Sequence, residues 1–557
     1  MDVGPMRARL RARCFLWLAL AVALCAGSLP ARAQAAPTAA AAATLRFDIL
    51  EFEVEGNTRL SALQVEQAVM PFMGEGRDMA AIEGARAALE KAYQSAGYLT
   101  VFVDVPEQRI DAGLVRLVVL EGRVEKLYVT GSRYYDQGRI RALATELAEG
   151  RVPNFNVVQQ QVAALSQTAE RRVQPVLRPG REPGTVEAEL KVSDKLPLGG
   201  SVEVNNAAAA GTEALRAAVN LHYDNLFQRE HSLSLTALTA PMRPSESRVL
   251  VLNYLVPLGD GDSLSFSAID SSSDVGSLGG TRVLGKGTTL GLRYGMNRLD
   301  ANAAHGLTLG FDLKDLKEDV QTSAGAIGSP LRYAPLQLAY NGNWWGAWGQ
   351  QQLSASAVFG LRPVWRQTRN DCQLADGSFG VADQFACKRR GADGGFTTFK
   401  LDWRGSRRVG PTEWALRVGG QLASQPLVSA EQFAVGGNET VRGYPEAVVS
   451  ADYGVLASVE LRSRNLAPAL LKAFDGANLP PFTELVVMAF SDVARVALIE
   501  PEPGQPHRST LLGTGLGLRL GLQPGLSLAL DWARRHRGVT GRSLPTERVH
   551  VRAALRF

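Results

Sequence analysis

Side chains that commonly form catalytic and metal sites are scarce in this sequence, which holds 6 histidines and 4 cysteines among 557 residues. The histidines are scattered without metal-ligand spacing, and no Cys-x-x-Cys pair is present, so zinc and thioredoxin-like sites have no basis. No Gly-x-Ser-x-Gly nucleophile elbow occurs either. We therefore expect no catalytic residue, no metal and no cofactor, and we do not expect the protein to be an enzyme.

A strong charge of one sign is also lacking. The formal net charge is +5, and residues 1–33 alone contain five arginines and one aspartate. The rest of the chain is therefore close to neutral, and no nucleic-acid partner is expected. A near-match to a nucleotide-binding P-loop at residues 280–287 fails, because Gly287 stands where Ser or Thr must reach the metal.

Long apolar runs are missing after the first 33 residues. Hydrophobic residues make up 45% of the chain and charged residues 21%, which excludes a disordered chain and a polytopic helical membrane protein. The mean hydropathy of −0.05 suits a soluble protein or a membrane β-barrel, because barrel strands alternate apolar and polar residues. The length predicts at least two domains.

Residues 1–33 have the pattern of a secretory signal peptide. Four arginines within residues 7–13 precede an apolar run over residues 14–25, and Ala-Arg-Ala at 31–33 forms an A-x-A cleavage site. A transmembrane anchor is the alternative, but the apolar run is shorter than a full span. We assign residues 34–45, seven of which are alanine, to a short tether.

Two cysteines remain once the leader is removed. Cys372 and Cys387 lie in a polar stretch, and an exported protein passes through an oxidising compartment. We predict that they form a disulfide in an outer loop, with two free thiols as the alternative.

Two similar α+β segments follow the tether, at residues 46–122 and 123–196. The predicted elements of the first are strands at 47–54, 99–105 and 114–121 and helices after Ser61 and over 80–94; those of the second are strands at 124–130, 173–177 and 185–192 and helices over 136–147 and 156–170. Ser61 with Gln64 forms a capping-box signature. Each segment thus has the order β-α-α-β-β, which indicates a tandem repeat.

From residue 197 to Phe557 only strand patterns are convincing. Sixteen strands are predicted to start near residues 199, 213, 231, 246, 263, 286, 304, 331, 350, 395, 412, 452, 483, 510, 525 and 546. Long connections near 272–285, 315–330, 362–394, 424–451 and 493–509 alternate with short turns. Long outer loops opposite short turns are typical of a transmembrane barrel. A soluble all-β domain is the alternative.

The last predicted strand shows the alternation most clearly. Val549, Val551 and Leu555 share one face, whereas His550 and Arg552 share the other. Apolar and charged faces on one strand suit lipid on one side and an aqueous lumen on the other. The terminal Phe557 is our candidate for a C-terminal barrel signal.

One outer connection, 424–451, contains a single arginine between apolar residues and glycines. A Gly-Gly pair precedes Val441, Arg442, Gly443 and Tyr444. Arg442 is either solvated or folded into the lumen, where a buried guanidinium needs a carboxylate partner. Asp492 shares a strand face with Phe490 and is the candidate partner.

These residues resemble the two-partner secretion transporters (TpsB proteins of the haemolysin secretion/activation type), in the superfamily that includes the BamA barrel-assembly proteins. Residues 441–444 match the family's VRGY/F motif on a lumen-folded loop, and Phe490-Ser491-Asp492 matches its F-x-D-x-G wall motif, with Ala494 in place of the glycine. The resemblance implies that Arg442 contacts Asp492. The tandem segments are similar to POTRA domains through Val54-Glu55-Gly56-Asn57-Thr58 and Val119-Leu120-Glu121-Gly122 in the first and residues 172–180 in the second.

The resemblance implies two periplasmic POTRA domains, at 46–122 and 123–196, followed by a 16-stranded antiparallel transmembrane β-barrel at 197–557. It implies an outer-membrane pore of a Gram-negative bacterium that recognises a TpsA-like partner protein in the periplasm and translocates it, unfolded, to the surface. Outer-membrane lipids and the barrel-assembly machinery, needed for its own insertion, are the other expected partners.

Two other functions remain as alternatives: an outer-membrane assembly or insertase factor, which commonly has three or more POTRA units, and a passive porin or receptor, which does not explain the tandem segments. Many family members also carry an N-terminal helix that plugs the pore. Only about 13 residues lie between residue 33 and the first strand, so we expect no plug helix here.

Overall fold

The computed structural model describes residues 46–110, 112–166, 168, 170–278, 281–322, 325–373, 378–473, 482–501 and 504–557. The predicted signal peptide, the tether and the position expected for a plug helix lie outside these ranges. Among the residues within them, no helix combines the length and the apolar character needed to cross a membrane. The chain divides into two compact units, one with the residues up to Leu127, Glu146–Gln160 and Leu177–Ala188, the other with Tyr128–Thr145, Gln161–Val176 and Glu189–Phe557.

The first α+β segment has a three-stranded sheet and two helices. Its elements are β1 (Phe47–Ile49), β2 (Glu51–Glu55), α1 (Ala62–Val69), β3 (Gly74–Arg77), α2 (Met79–Ser95), β4 (Val101–Asp104) and β5 (Leu114–Glu121). The sheet order is β2-β5-β4, with β2 parallel to β5. The single strand predicted at 47–54 is wrong, because the chain breaks at Leu50 and β1 pairs instead with β3.

Local sequence explains both helices of this segment. The capping box predicted at α1 is present, since the Gln64 amide donates to the Ser61 hydroxyl at 3.3 Å and the Ser61 amide donates to the Gln64 side chain at 3.0 Å. Helix α2 begins at the Asp78 cap. Its buried residues are Ile82, Ala85, Leu89 and Tyr93, spaced three or four apart, so one face of α2 packs on the sheet.

The second segment repeats this order with β6 (Arg123–Thr130), α3 (Gln137–Leu143), α4 (Phe155–Leu165), β7 (Arg171–Pro179) and β8 (Thr185–Asp194). Its sheet order, β6-β8-β7, corresponds to β2-β5-β4. Gly56 and Gly131 end β2 and β6 with φ of 84° and 82°, and a Cβ on either would overlap the carbonyl oxygen of Val119 or Val192. The two segments therefore share the same glycine turn after their first sheet strand, as expected for a tandem repeat.

The remaining strands and helices, in chain order, are β9 (Leu198–Asn205), β10 (Arg216–Leu226), β11 (His231–Thr239), β12 (Arg248–Gly259), β13 (Asp262–Leu278), β14 (Thr281–Leu299), β15 (Ala303–Thr322), β16 (Gly325–Tyr333), β17 (Pro335–Gly346), β18 (Gly349–Gly360), β19 (Thr368–Gln373), β20 (Phe379–Asp383), α5 (Gln384–Lys388), β21 (Thr397–Val409), β22 (Thr412–Ala423), β23 (Phe433–Val435), β24 (Val449–Ala451), β25 (Tyr453–Ser463), α6 (Ala467–Ala473), β26 (Phe482–Ala497), β27 (Arg508–Leu522), β28 (Leu526–Arg535) and β29 (Glu547–Arg556).

These strands form a closed antiparallel barrel in which β29 pairs with β9. The hairpins β19–β20 and β23–β24 lie outside the barrel sheet. Strands β16 and β17 are one strand interrupted at Ala334, and both pair with β15, so the barrel has sixteen strands. The prediction of a 16-stranded antiparallel barrel is confirmed.

Two predicted outer loops are wrong. Residues 272–285 and 315–330 are largely strand, because β13 and β14 remain paired to Leu278 and Thr281, and β15 and β16 to Thr322 and Gly325. These stretches are rich in polar residues and glycine, which concealed them as strands. A ladder of backbone hydrogen bonds needs no apolar face once it extends beyond the bilayer.

Alternation along the strands follows the predicted pattern. On β29, Val549, Val551 and Leu555 are exposed on the outer face, whereas His550 and Ala554 are buried inside. Phe557 closes the seam, because its amide donates to the Gly200 carbonyl at 3.0 Å and its carbonyl accepts from the Gly200 amide at 3.0 Å.

Candidate functional site

The segment 424–452 connects β22 to β25 and folds into the barrel; we call it the lumen loop. Its two arms pair in the short hairpin of β23 and β24, with Val435 opposite Val449. At its tip, Gly436 and Gly437 have φ of 106° and 97°, a region that favours glycine. The Glu446 carboxylate accepts from the Asn438 amide at 2.7 Å and occupies the space that a Cβ on Gly437 would need. The Gly-Gly pair thus permits a compact tip rather than a flexible one.

Arg442, at this tip, lies against Asp492 on the inner face of β26. Its Nε is 2.7 Å from Oδ2 of Asp492 and its Nη2 is 2.8 Å from Oδ1, so the contact is bidentate. The backbone amide of Arg442 donates to the same Oδ2 at 3.1 Å. The side chains are 6% and 1% exposed, so the structure brings together the two residues that the sequence suggested as partners.

A second carboxylate and an aromatic ring complete the surroundings of Arg442. Its Nη2 lies 2.8 Å from Oε1 of Glu460 on β25, and Arg462 pairs with the other Glu460 oxygen at 2.6 Å. The guanidinium carbon is 3.5 Å from the centroid of the Phe490 ring. Because residues two apart on a strand share a face, Phe490 and Asp492 hold one cation between them.

The charge state of Arg442 follows from these contacts. Burial alone would lower the pKa of the guanidinium, but the hydrogen bonds and charge of Asp492, with a smaller contribution from Glu460, raise it overall above its usual value. The side chain is therefore a permanent cation, and the loop tip stays charged at any pH at which the barrel is folded.

Gly443 and Tyr444 fix the same tip on the other side. Gly443 has a φ of 92° and its amide donates to Nε2 of His550 on β29 at 3.0 Å. Tyr444 is fully buried, and its hydroxyl donates to the Arg537 carbonyl at 2.8 Å. The same hydroxyl accepts from the Leu512 amide at 3.3 Å. All four motif residues therefore contact the wall or pack against it.

Apolar packing supports the ion pair. Val441 and Tyr444 belong to a buried cluster with Val435, Leu456, Ala494, Val496 and Leu511. The methyl of Ala494, which stands where the related motif has glycine, fits into this cluster. Strand pairing at Ala494 is regular on both sides, with Leu456 on β25 and Leu511 on β27, so the departure leaves the wall intact.

Sequence reasoning missed a row of wall glycines beneath the tip. Gly513, Gly515 and Gly517 alternate along β27 and share its inner face. A Cβ on Gly513 would overlap the Arg442 carbonyl oxygen, and one on Gly515 would overlap the Phe490 ring. Glycines at every second position leave one face of a strand without side chains. This pattern would have predicted that another segment, here the Arg442 tip, packs against β27. His550 gave no such signal.

Two further wall cations hold the loop, one on a strand next to β25 and one on β15, on the other side of β18. Arg417 on β22 donates to the Glu439 carbonyl and pairs with Asp402 on β21 at 2.6 Å. Lys314 on β15 lies 2.6 Å from Oε1 of Glu431, near the loop's beginning. Burial would raise the pKa of Glu431, but the Lys314 and Lys400 cations hold it below its ordinary value. The lumen loop thus contacts charged groups on four barrel strands, β15, β22, β25 and β26.

The other candidate residues lie elsewhere. Cys372 and Cys387 form a disulfide that joins β19 to α5. In the part of the chain that the structure describes, no group of three or more His, Cys, Asp or Glu side chains could hold a metal ion.

Comparison with known proteins gives a consistent result. The family model "Haemolysin secretion/activation protein ShlB/FhaC/HecB" matches residues 184–520, and the model "POTRA domain, ShlB-type" matches residues 47–122. The outer membrane transporter CdiB of Escherichia coli O6:K15:H31 is 24% identical over 166 residues, which cover 30% of this chain and 28% of that protein. CdiB of Dickeya dadantii is 27% identical over 135 residues, 24% of each chain. These alignments span less than a third of the relatives' length.

Solved structures match over almost the whole chain. CdiB from Escherichia coli superposes with a TM-score of 0.59 at 18% identity, covering 94% of this chain and 93% of that one. BamA from Haemophilus ducreyi, lacking POTRA domains 1–3, gives a TM-score of 0.54 at 15% identity and covers 92% and 100%. At these identities the likeness shows a shared fold.

Proposed function

The chain belongs to the haemolysin secretion/activation family (ShlB/FhaC/HecB), and from this premise we propose that it carries a partner protein from the periplasm to the cell surface. Its place is the outer membrane, with the POTRA repeats in the periplasm. The domain boundaries that we propose are a signal peptide at 1–33, a tether at 34–45, POTRA repeats at 46–122 and 123–196, and the barrel at 197–557.

The observation that carries this proposal is the lumen loop, which is bound to the barrel interior on strands β15, β22, β25 and β26. A sixteen-stranded barrel is wide enough for an aqueous lumen. The loop fills part of that lumen, and its tip is held by the Arg442–Asp492 pair rather than by a covalent link. Non-covalent contacts can be exchanged for contacts with a passing chain. Because the loop takes up part of the lumen, the proposed partner crosses in extended form.

Recognition of the partner is assigned to the POTRA repeats. Strand β4 is an edge of the sheet β2-β5-β4, and β7 is an edge of β6-β8-β7. An extended segment of the partner adds to such an edge as a further strand, with main-chain hydrogen bonds that tolerate many sequences. No nucleotide is available in the periplasm, so folding of the partner outside the cell gives the direction.

Deletion of the gene in its own bacterium tests the proposal. We expect one large protein to disappear from the surface and the culture medium, while the set of other outer-membrane barrels stays the same. Wild-type protein expressed from a plasmid restores export, and Arg442→Ala at equal membrane abundance does not. Loss of many unrelated barrels would instead support a barrel-assembly factor, the function that the likeness to BamA favours. An unchanged surface and medium would contradict both.

A further inference from the structure

A second buried ion pair joins the lumen loop to the connection between β18 and β21, residues 361–396, which we call the outer loop. Nη2 of Arg389 lies 2.7 Å from Oδ2 of Asp452, and Nη1 of Arg389 donates to Oδ1. The side chains are 10% and 0% exposed. Arg389 follows α5 directly, and Asp452 is the last residue of the lumen loop. This pair is distinct from Arg442–Asp492 and shares no residue with it.

The pair connects three chain segments. Asp452 accepts from the amides of Leu427 at 3.0 Å and Ile499 at 2.7 Å. Arg389 donates to the carbonyls of the same two residues, at 2.7 Å and 2.8 Å. Leu427 lies near the beginning of the lumen loop, and Ile499 lies between β26 and β27. Because each charge is paired and hydrogen-bonded, burial of both is tolerated.

Apolar contacts lie beside this ion pair. Phe385 of α5 is buried against Tyr333 and Phe396, with ring centroids 5.4 Å and 6.3 Å apart. The same cluster includes Leu427 and Val428 of the lumen loop. Helix α5 is therefore packed both on the barrel wall and on the start of the lumen loop.

Cys387 of the disulfide lies two residues before Arg389. Helix α5 has five residues, which is too short to be stable alone. Its position depends on the Asp383 cap, on Gln384 and on the disulfide, which ties Cys387 to β19. Breaking the disulfide frees α5 on one side and loosens the residue that carries the cation.

We propose that the ion pair of Arg389 with Asp452 holds the outer loop against the lumen loop, so that Arg389 is a positioning residue. We further propose that the Cys372–Cys387 disulfide keeps Arg389 in place for this contact. With this ion pair formed, the two loops close the outer mouth of the pore. A chain leaving the lumen parts the two loops there, which separates Arg389 from Asp452 and uncovers Phe385. The proposal deepens the proposed function, and it is tested on pore opening, which needs no partner protein.

The experiment uses the full chain, purified and inserted in planar lipid bilayers, with the open-to-closed ratio of the pore as readout. Arg389→Gln should raise that ratio roughly tenfold, because it removes hydrogen bonds to a charged group in the closed state only. Arg389→Lys keeps the charge but not the fork, so it should fall between Arg389→Gln and wild type. The matched control is Arg390→Gln, because Arg390 is the exposed neighbour. We expect it to match wild type.

Reduction provides a measurement without any variant. Dithiothreitol added to the wild-type channel should raise the open-to-closed ratio in the same direction as Arg389→Gln. It should add little to Arg389→Gln itself, because the disulfide acts through Arg389. Heat-modifiable migration on gels verifies that each barrel is folded.

Two results would overturn the proposal. One is an unchanged ratio in both Arg389→Gln and the reduced wild type. The other is an equal rise in Arg390→Gln, which would attribute the effect to general surface charge. If Arg389→Gln does not fold, the reduced wild type decides alone. The bilayer variants could behave as expected while deletion of the gene removes no exported protein. That result would count against the proposed function and leave this proposal standing.

Discussion

The tip and the base of the lumen loop are each held by an arginine–aspartate ion pair, but the two pairs attach the loop to different parts of the protein. At the tip, Arg442 of the loop binds Asp492 of a barrel strand. At the base, where the loop joins β25, Asp452 binds Arg389 of the outer loop. Both pairs are bidentate and buried. The tip is therefore fixed to a rigid wall, whereas the base is as rigid as the outer loop, which depends on a disulfide.

This difference predicts different consequences when each pair is broken. Removing the tip pair leaves a buried charge on the wall facing the lumen, in the path of the partner. Removing the base pair releases the lumen loop from the outer loop and leaves its contact with the wall at the tip in place. We expect the tip to control export and the base to control leakage.

The largest effect is expected for Arg442→Ala. This change leaves Asp492 buried without its cation, which costs about 3–5 kcal/mol, and releases the loop tip from the wall. Secretion of the partner should fall roughly tenfold or more, while the barrel stays inserted and heat-modifiable. Immunoblots of medium and outer membrane measure both quantities.

A matched control for this variant is Arg534→Ala, since Arg534 is exposed on β28. Normal secretion by Arg442→Ala would mean that the tip contact is dispensable. Arg442→Lys should restore secretion only in part, because an ammonium group does not reproduce the bidentate contact.

Combining changes at the tip sharpens the comparison. Asp492→Ala should resemble Arg442→Ala, and the double variant should be little worse than either, because both remove one interaction. Secretion measured for wild type, the two single variants and the double variant completes a double-mutant cycle. Fully additive losses would show that Arg442 and Asp492 act separately, despite their 2.7 Å contact.

Space beneath the tip can be tested without changing any charge. Gly513→Ala places a methyl where the Arg442 carbonyl oxygen lies, so the tip must shift away from the wall. We expect a several-fold loss of secretion, smaller than for Arg442→Ala, because the ion pair can re-form in a displaced position. Gly538→Ala is the control, since no atom lies within 4 Å of its added Cβ. Equal secretion by both variants would contradict the close approach.

Most of the barrel could be predicted because its strands alternate with period two. Strands β11 and β22 begin at His231 and Thr412, the predicted positions. The hairpin extensions were missed because polar residues and glycine dominate both of their faces. The break at Leu50 and the pairing of β1 with β3 were missed because Gly74–Arg77 has no alternating apolar residues. Backbone pairing without a side-chain pattern leaves no trace in the sequence.

The same physical limit separates the two ion pairs. Asp492 could be assigned to the inner face because it lies in a periodic strand, and the resemblance to a known family suggested its partner. Arg389 and Asp452 lie outside the strands, 63 residues apart, where no period fixes the direction of a side chain. Their contact depends on how the loops pack, which a single sequence does not encode locally.

A matched substitution compares tip and base directly. Asp492→Asn and Asp452→Asn make the same chemical change in buried carboxylates. We expect Asp492→Asn to impair secretion strongly and Asp452→Asn to preserve most of it. Asp452→Asn should instead sensitise cells to vancomycin, which wild-type outer membranes exclude. The reverse assignment of these two phenotypes would overturn the division of roles between tip and base.

The smallest effect on secretion is expected at the disulfide. Cys372 and Cys387 are separated by 15 residues, and a closed loop of that size contributes about 3 kcal/mol in the chain-entropy model. That contribution belongs to the outer loop, because the sixteen paired strands do not depend on it. The double variant Cys372→Ser/Cys387→Ser should therefore retain nearly normal secretion and heat-modifiability, while surface protease cuts residues 361–396 faster than in wild type.

Whole cells allow the bond itself to be checked. A membrane-impermeant maleimide should leave both cysteines unlabelled until a reductant is added, and should then label both. Ready labelling of unreduced cells would show free thiols. In that case the base of the lumen loop would rest on Arg389 and Phe385 alone, and reduction would have no effect on protease sensitivity. Faster cleavage after reduction, with unchanged secretion, would instead place the disulfide at the base of the loop as a support for closure rather than for transport.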